Sequence, residues 1–359
     1  MGAQAQERAE TTSQSNGTVA GRVFCSDTQK PARFAQVRLI SAGDGAGGGF
    51  GSRGVTGADG SFSLGNVRPG EYFISAQMPG NIDPLRSFVP RGKRIGAADL
   101  PQAAKAMLMK VTVAADQTAS VQVTVFRGAV LAGTLTYDDG SPAIGMSISA
   151  QRIEAINATG GDASAGESMR DSAFSSSSDR GDFRLGGLPD GIYIVTARPR
   201  GTNGPGTLPA YYGNTVRKSD ARHLEVKAGE ERDGVDIQIP AISLRQVSGV
   251  VQAAKDSHGI GRAMVSLALT GEVGDALNAV SGPDGSFHFP GVPNGKFIVR
   301  VSGASDVVGA HGSAGESAES TANYGPAQQN IELSGSDVDN VVLSLPAVGA
   351  HNAGITTQP

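Results

Sequence analysis

The strongest constraint in this sequence is a segment that occurs three times in one register. Its first copy reads Asp59-Gly60-Ser61-Phe62-Ser63-Leu64, then Val67-Arg68-Pro69-Gly70-Glu71-Tyr72. The second reads Arg180-Gly181-Asp182-Phe183-Arg184-Leu185, then Leu188-Pro189-Asp190-Gly191-Ile192-Tyr193. The third reads Asp284-Gly285-Ser286-Phe287-His288-Phe289, then Val292-Pro293-Asn294-Gly295-Lys296-Phe297. In every copy a glycine lies eight residues after the phenylalanine and an aromatic ring ten after it. Only the proline slips by one place, in the first copy. The copies recur at intervals of roughly 110 residues, the size of one small sandwich domain.

Each segment is a pair of strands joined by demanding turns. Gly60, Gly181 and Gly285 stand where a tight turn needs φ > 0, and Gly70, Gly191 and Gly295 complete the proline-containing turn that follows. Phe62 and Leu64 share one strand face at period two, as do Phe183 with Leu185 and Phe287 with Phe289. The next strand alternates in the same way from Tyr72, Tyr193 and Phe297. These six aromatic residues are the expected anchors of three cores.

The flanks repeat as well. Each copy opens on a strand through a glycine: Gly21, Gly133 and Gly249. A second strand follows at Val37, Met146 and Val265, and two closing strands end near Val125, Ile239 and Leu345. With a short strand near Val55, that makes about seven strands per copy, the pattern of a two-sheet Greek-key sandwich. The expected architecture is therefore all-β, with three tandem seven-stranded prealbumin-like or immunoglobulin-like sandwiches at residues 17–127, 128–241 and 242–346. The joints near Arg127 and Ala241 are short, which implies a semi-rigid rod. Residues 1–16 and 347–359 read as disordered tails.

Composition agrees and excludes several function classes. The 359 residues include 51 glycines and no tryptophan, which favours turns over long helices. A net charge of -4 provides no basic field for nucleic acid or an anionic membrane surface. No apolar run is long enough for a transmembrane helix. Cys25, the only cysteine, continues the first apolar strand and reads as a core thiol. The triplet Ala3-Gln4-Ala5 has the form of an export cleavage site.

Divergence between the copies lies mainly in two loops. One lies after the second strand: glycine-rich from Gly43 to Gly54, polar from Asn157 to Ser178, and shorter from Gly271 to Asn278. The other follows the aromatic strand. It includes a short helix expected at Ala97 to Met109, the pair Tyr211-Tyr212, and Tyr324.

The Gly-x-Val opening, the Asp-Gly-x-Phe-x-Leu turn and the Pro-x-Gly-x-Tyr turn together resemble the carboxypeptidase regulatory-like domain. That family is similar to transthyretin-like sandwiches, Cna B-type repeats and the starch-binding-like fold. The resemblance spans Gly17 to Pro346 and implies an exported, non-catalytic module that accompanies peptidases, outer-membrane receptors or adhesins. It implies a place outside the cytoplasm, on a cell surface or in a periplasm.

Catalytic signatures are missing from the sequence. His223, His258, His288, His311 and His351 stand singly, without metal-ligand spacing, and no cofactor is expected. Residues 43–48 satisfy Gly-x-Gly-x-x-Gly, but the glycine-rich stretch after them is a poor helix former, so they read as a loop. The Lys–Asn cross-link of Cna B-type modules has an asparagine available at Asn340 but lacks a lysine on the opening strands. Residues 345–349 fall one residue short of a sortase-type motif. Asp59, Asp284, Asp337 and Asp339 could donate oxygens to calcium, although aspartate in turns ordinarily serves the turn. Sugar sites stack rings on exposed aromatics, which singles out Tyr211, Tyr212 and Tyr324 as exposed ligand contacts. The sequence thus supports a non-catalytic scaffold whose partners are a polysaccharide or an envelope protein. Its alternatives are a carbohydrate-binding array and an accessory to a secreted peptidase or receptor.

Overall fold

The computed structural model describes residues 15–42, 50–88, 100–153, 173–200, 208–307 and 320–348. The first module holds β1 (Gly17–Cys25), β2 (Gln36–Ser41), β3 (Phe50–Val55), β4 (Ser61–Val67), β5 (Gly70–Gln77), β6 (Met109–Val113) and β7 (Thr118–Val125). They form two sheets, ordered β4-β1-β7 and β3-β2-β5-β6. Strand β1 runs antiparallel to β4 and parallel to β7. First and last strands thus lie side by side, which closes each module on itself.

The second module repeats this plan with β8 (Ala129–Tyr137), β9 (Ser147–Arg152), β10 (Ala173–Ser176), β11 (Asp182–Leu188) and β12 (Gly191–Arg198). Then come β13 (Ala210–Tyr211), β14 (Leu224–Val226), β15 (Glu231–Arg232) and β16 (Ile237–Ile239). Its last strand is split, since β15 and β16 both pair in parallel with β8. The third module has β17 (Arg245–Ala253), β18 (Met264–Leu269), β19 (Ala276–Val280), β20 (Ser286–Val292) and β21 (Gly295–Val301). It continues with β22 (Ala304–Val307), β23 (Ser320–Tyr324), β24 (Ala327–Leu333), β25 (Val338–Leu345) and β26 (Ala347–Val348). Its sheets run β20-β17-β25 and β19-β18-β21-β24, with a small extra sheet β22-β23-β26.

The described residues are all-β, with three main cores and a small cluster of Ile194, Tyr211 and Ala221. Phe62, Phe183, Phe287, Tyr193 and Phe297 are buried in the main cores, and Tyr72 packs half-buried against the first. Tyr72 and Tyr193 stay rooted because each hydroxyl donates to the carbonyl four residues back, Arg68 at 2.9 Å and Pro189 at 2.8 Å. Phe297 dispenses with that bond. Cys25 packs half-buried against the first core.

Two glycine positions are dictated by close approach. Gly60, Gly181 and Gly285 have φ of 75°, 84° and 81°, the left-handed region the turn demands. At Gly21, Gly133 and Gly249 a Cβ would lie 1.9, 2.3 and 2.1 Å from the carbonyl oxygens of Val121, Val235 and Val341, the first and third on the parallel last strand and the second in the break of the split one. The glycine in every opening strand is therefore the site where the two terminal strands touch.

A second repeated device lies six residues before each core phenylalanine. The buried hydroxyls of Thr56, Ser177 and Ser281 donate to Ala32, Ala143 and Ile260 carbonyls at 2.6, 2.6 and 2.7 Å. They accept from the N–H groups of Ala35, Met146 and Ala263 at 2.8, 2.9 and 2.9 Å. Each hydroxyl ties the first interstrand turn to the strand pair behind it and satisfies two buried backbone groups.

Several expectations need correction. The second halves of the variable loops are not loops, since β3, β10 and β19 start at Phe50, Ala173 and Ala276. The helix expected from Ala97 shrinks to α2 (Gln102–Ala106), because Met109 already begins β6; residues 89–99 lie outside the described set. A helix not anticipated, α1 (Pro84–Phe88), starts where Asp83 accepts the N–H groups of Leu85 and Arg86 at 3.0 and 3.3 Å. Ala347 and Val348 are not tail but β26, held because Tyr324 and Asn323 pair with them. The remaining tail residues, 1–14 and 349–359, lie outside the described set.

Candidate functional site at the module joints

The three loop tyrosines do not share one environment. Tyr211 is 2% exposed and Tyr324 8%, so neither is the exposed ligand contact expected from the sequence. Tyr212 alone remains half-accessible, with the Arg222 guanidinium 5.7 Å from its ring centre. Tyr324 packs edge-on to His258 at 6.1 Å, its hydroxyl 3.2 Å from Nε2, while Nδ1 of the same ring meets Asp256 at 2.5 Å.

Tyr211 belongs to the joint between the second and third modules. Ala210 and Tyr211 form β13, which pairs with Ala197 and Thr196 of β12 and so holds this excursion against its own sheet. The Tyr211 hydroxyl then donates to Asp275, on the loop of the third module just before β19. Arg198 Nη2 meets the other oxygen of Asp275 at 2.5 Å, and only 13% of the Asp275 side chain is exposed. Burial and the neighbouring carboxylate push the Tyr211 hydroxyl far above the usual tyrosine range, so it acts as a donor at any ordinary pH.

Further contacts widen this joint. Arg217 Nη1 donates to the Thr270 carbonyl at 3.1 Å, and the Ser219 hydroxyl donates to Glu272 at 2.6 Å. Leu208 is buried in the core of the third module, with Val216 packed against it. One excursion of the second module therefore supplies apolar side chains and polar clamps to the third. The connecting chain is capped as well, since Asp138 accepts N–H groups from Ala241 and Ile242 at 2.9 Å each and from Ser243 at 3.4 Å. Burial opposes its charge, but the bonds from Ile242, Ala241 and Ser243 outweigh that and hold its carboxyl below the ordinary range.

The joint between the first and second modules relies more on backbone. Gly128 N–H donates to the Gly80 carbonyl at 3.0 Å and Ile82 N–H to Phe126 at 2.8 Å, so the connection is stitched to the excursion that carries α1. Arg127 lies 3.6 Å from Asp27 and 3.9 Å from Glu231, which also pairs with Arg184. These pairs are exposed and contribute little each. Arg86 lies over the Phe174 ring at 5.7 Å, across the same joint.

The acids considered for calcium are engaged locally. Asp59 and Asp284 accept from the hydroxyl and N–H of Ser61 and Ser286, bonds that hold both carboxyls below their ordinary range. Asp337 accepts from Gln246 N–H at 2.8 Å and Asp339 from the Ser248 hydroxyl at 2.7 Å. Among the described residues, no group of three or more His, Cys, Asp or Glu side chains is arranged to hold a metal. Among them, too, no helix is long and apolar enough to cross a membrane.

No protein-family model matches the chain, and no curated protein matches it. Solved structures that align with the chain include the Bacillus anthracis TIE protein, at 11% identity and a TM-score of 0.22. That alignment covers 92% of this chain but only 51% of the other, so the chain spans about half the length of that protein. A Streptococcal ancillary pilin aligns at 10% identity over 93% of this chain and 99% of its own, with a TM-score of 0.30. GBS52, the minor pilin of Streptococcus agalactiae, aligns at 12% identity over 62% and 97%, with a TM-score of 0.32. Superpositions this loose carry no argument about function.

Proposed function

We propose that this chain is a non-catalytic scaffold in which three sandwiches form one semi-rigid array that spaces or presents other groups. The observation that carries this reading is the joint at Asp275, where Arg198 and Tyr211 of one module converge on a largely buried carboxylate of the next. Modules that only hung on a linker would have no use for a buried, charge-assisted contact, because burying a charge is costly unless it is paired. The backbone stitching at Gly80 and Gly128 extends the same logic to the first joint.

The resemblance to carboxypeptidase regulatory-like modules supports placing this scaffold outside the cytoplasm, on a cell surface or in a periplasm. An accessory role beside a peptidase or receptor is the same scaffold with a particular cargo. The glycan-binding reading loses support, because Tyr211 and Tyr324 are buried and only Tyr212 is left to stack on a sugar. Small-angle scattering on the whole chain tests the proposal. One fixed arrangement of modules should fit the profile; a profile that demands a broad ensemble of module orientations contradicts it.

A further inference from the structure

Strand β25 is the outer strand of its three-stranded sheet and, among the described residues, pairs only with β17. Its register is irregular near the start, but residues 341–345 pair one for one with residues 249–253. It contains no lysine, arginine or proline; its one acid, Asp339, and the left-handed Asn340 (φ 64°) lie at the irregular start, and beyond them Val342 on the outward face is 44% exposed. Such an edge is a template for another strand, and proteins ordinarily blunt it with a charge, a break or a proline.

The two sister modules provide an internal control. At the equivalent outward positions the first module has Arg22 beside Gln122. The second has Thr134 beside Asp236, whose carboxylate accepts both the N–H and the hydroxyl of Thr134 at 2.9 Å. Its outer strand is also broken between Arg232 and Ile237. The third has Val250 beside Val342. Three copies share one fold, so the fold does not require valines here. These two border an open groove of about 980 Å³ together with Met264 and Val280, which are 57% and 62% exposed.

We infer that the third module binds a second copy of this chain edge to edge, with β25 antiparallel to β25. The unpaired backbone of an outer strand calls for a strand as its partner, and a two-fold pairing needs one edge only and stops at a dimer. Centred on Val342, the pairing sets Val341 opposite Leu343 within the regular stretch, and the irregular Asp339 and Asn340 end the ladder on each side. No like charges face one another. The two Val342 side chains meet at the axis, flanked by Val250 from each copy, and the outward valines leave water together. An interface built on one short strand is small, so the dimer is a weak one.

Sedimentation of the full chain from about 5 to about 500 µM, the range a small interface demands, tests this. The native chain should pass from monomer to dimer, and V342K, which sets two cations across the axis, should weaken the dimer at least about tenfold. Q122K, the matching change on the first module, should leave it unchanged. Hydrogen exchange on the native chain gives a readout without any variant: residues 338–345 should gain protection as concentration rises. A chain that stays monomeric overturns the inference. So does a dimer indifferent to V342K, or one lost with Q122K.

Discussion

The Tyr211 hydroxyl donates to the carboxylate of Asp275, 64 residues further along the chain and in a different module. Arg198 supports the same carboxylate from the neighbouring strand, so Asp275 is the point where the second module grips the third. Tyr211→Phe should keep the ring in place and remove only the donor. We expect a loss of about 1.5–3 kcal/mol from the joint, the range for a hydrogen bond to a charged group. Differential scanning calorimetry would show it as a third-module transition separating from, and falling below, that of the second. Unchanged, merged transitions would contradict the assignment.

The buried hydroxyls make a sharper prediction about each module alone. Replacing Ser281 by alanine leaves the Ala263 N–H and Ile260 carbonyl without their partner and should cost about 1–3 kcal/mol. Thr56→Ser keeps the hydroxyl and should cost well under half as much as Thr56→Val. Denaturant unfolding of each variant checks both, and equal losses for the two Thr56 changes would show that packing, not the hydroxyl, matters there.

At Gly249 a methyl group would fall 2.1 Å from the Val341 carbonyl oxygen, which belongs to backbone and cannot rotate away. Gly249→Ala should therefore prise β17 from β25 and cost about 4 kcal/mol or more, among the largest single-residue effects. Hydrogen exchange should report lost protection confined to residues 245–253 and 338–345. Protection equal to that of the native chain would refute the close-approach argument.

Acid should loosen the turns and the second joint before it reaches the cores. Asp59, Asp138 and Asp284 have folded-state carboxyl pKa values held below those of the unfolded chain. Their contribution is thus present above about pH 4, the ordinary aspartate value, and is lost as pH falls through the lower folded value. Asp138→Asn should lower stability at neutral pH and flatten the acid limb of a stability–pH curve, so that variant and native chain converge in acid. An acid limb as steep as that of the native chain would sink this reading.

Much of the fold was legible because it rests on local, periodic signals. The register of Phe62, Phe183 and Phe287 marks a strand pair whose turns admit few residues, and all three rings are buried. Thr56, Ser177 and Ser281 recur just as regularly, six residues before each ring. A small polar residue beside a turn reads as loop, and only the fold shows that it is buried. The α1 signal was also present, as Asp83 followed by Pro84. Tyr211 and Tyr324 look exposed in the sequence for a different reason. What covers them, Asp275 and His258, lies 64 and 66 residues away in sequence, so no local pattern could report their burial. The joints, the best candidate site, are made of such distant contacts and were out of reach.

The most direct test of the scaffold reading is the distance between spin labels placed on exposed residues of the second and third modules, at Lys227 and Lys255. In the native chain, pulsed electron–electron resonance should give one narrow distance distribution, which Asp275→Ala should broaden while each module stays folded. A distribution already broad in the native chain, or one left narrow by Asp275→Ala, would contradict the claim that this joint holds the array rigid.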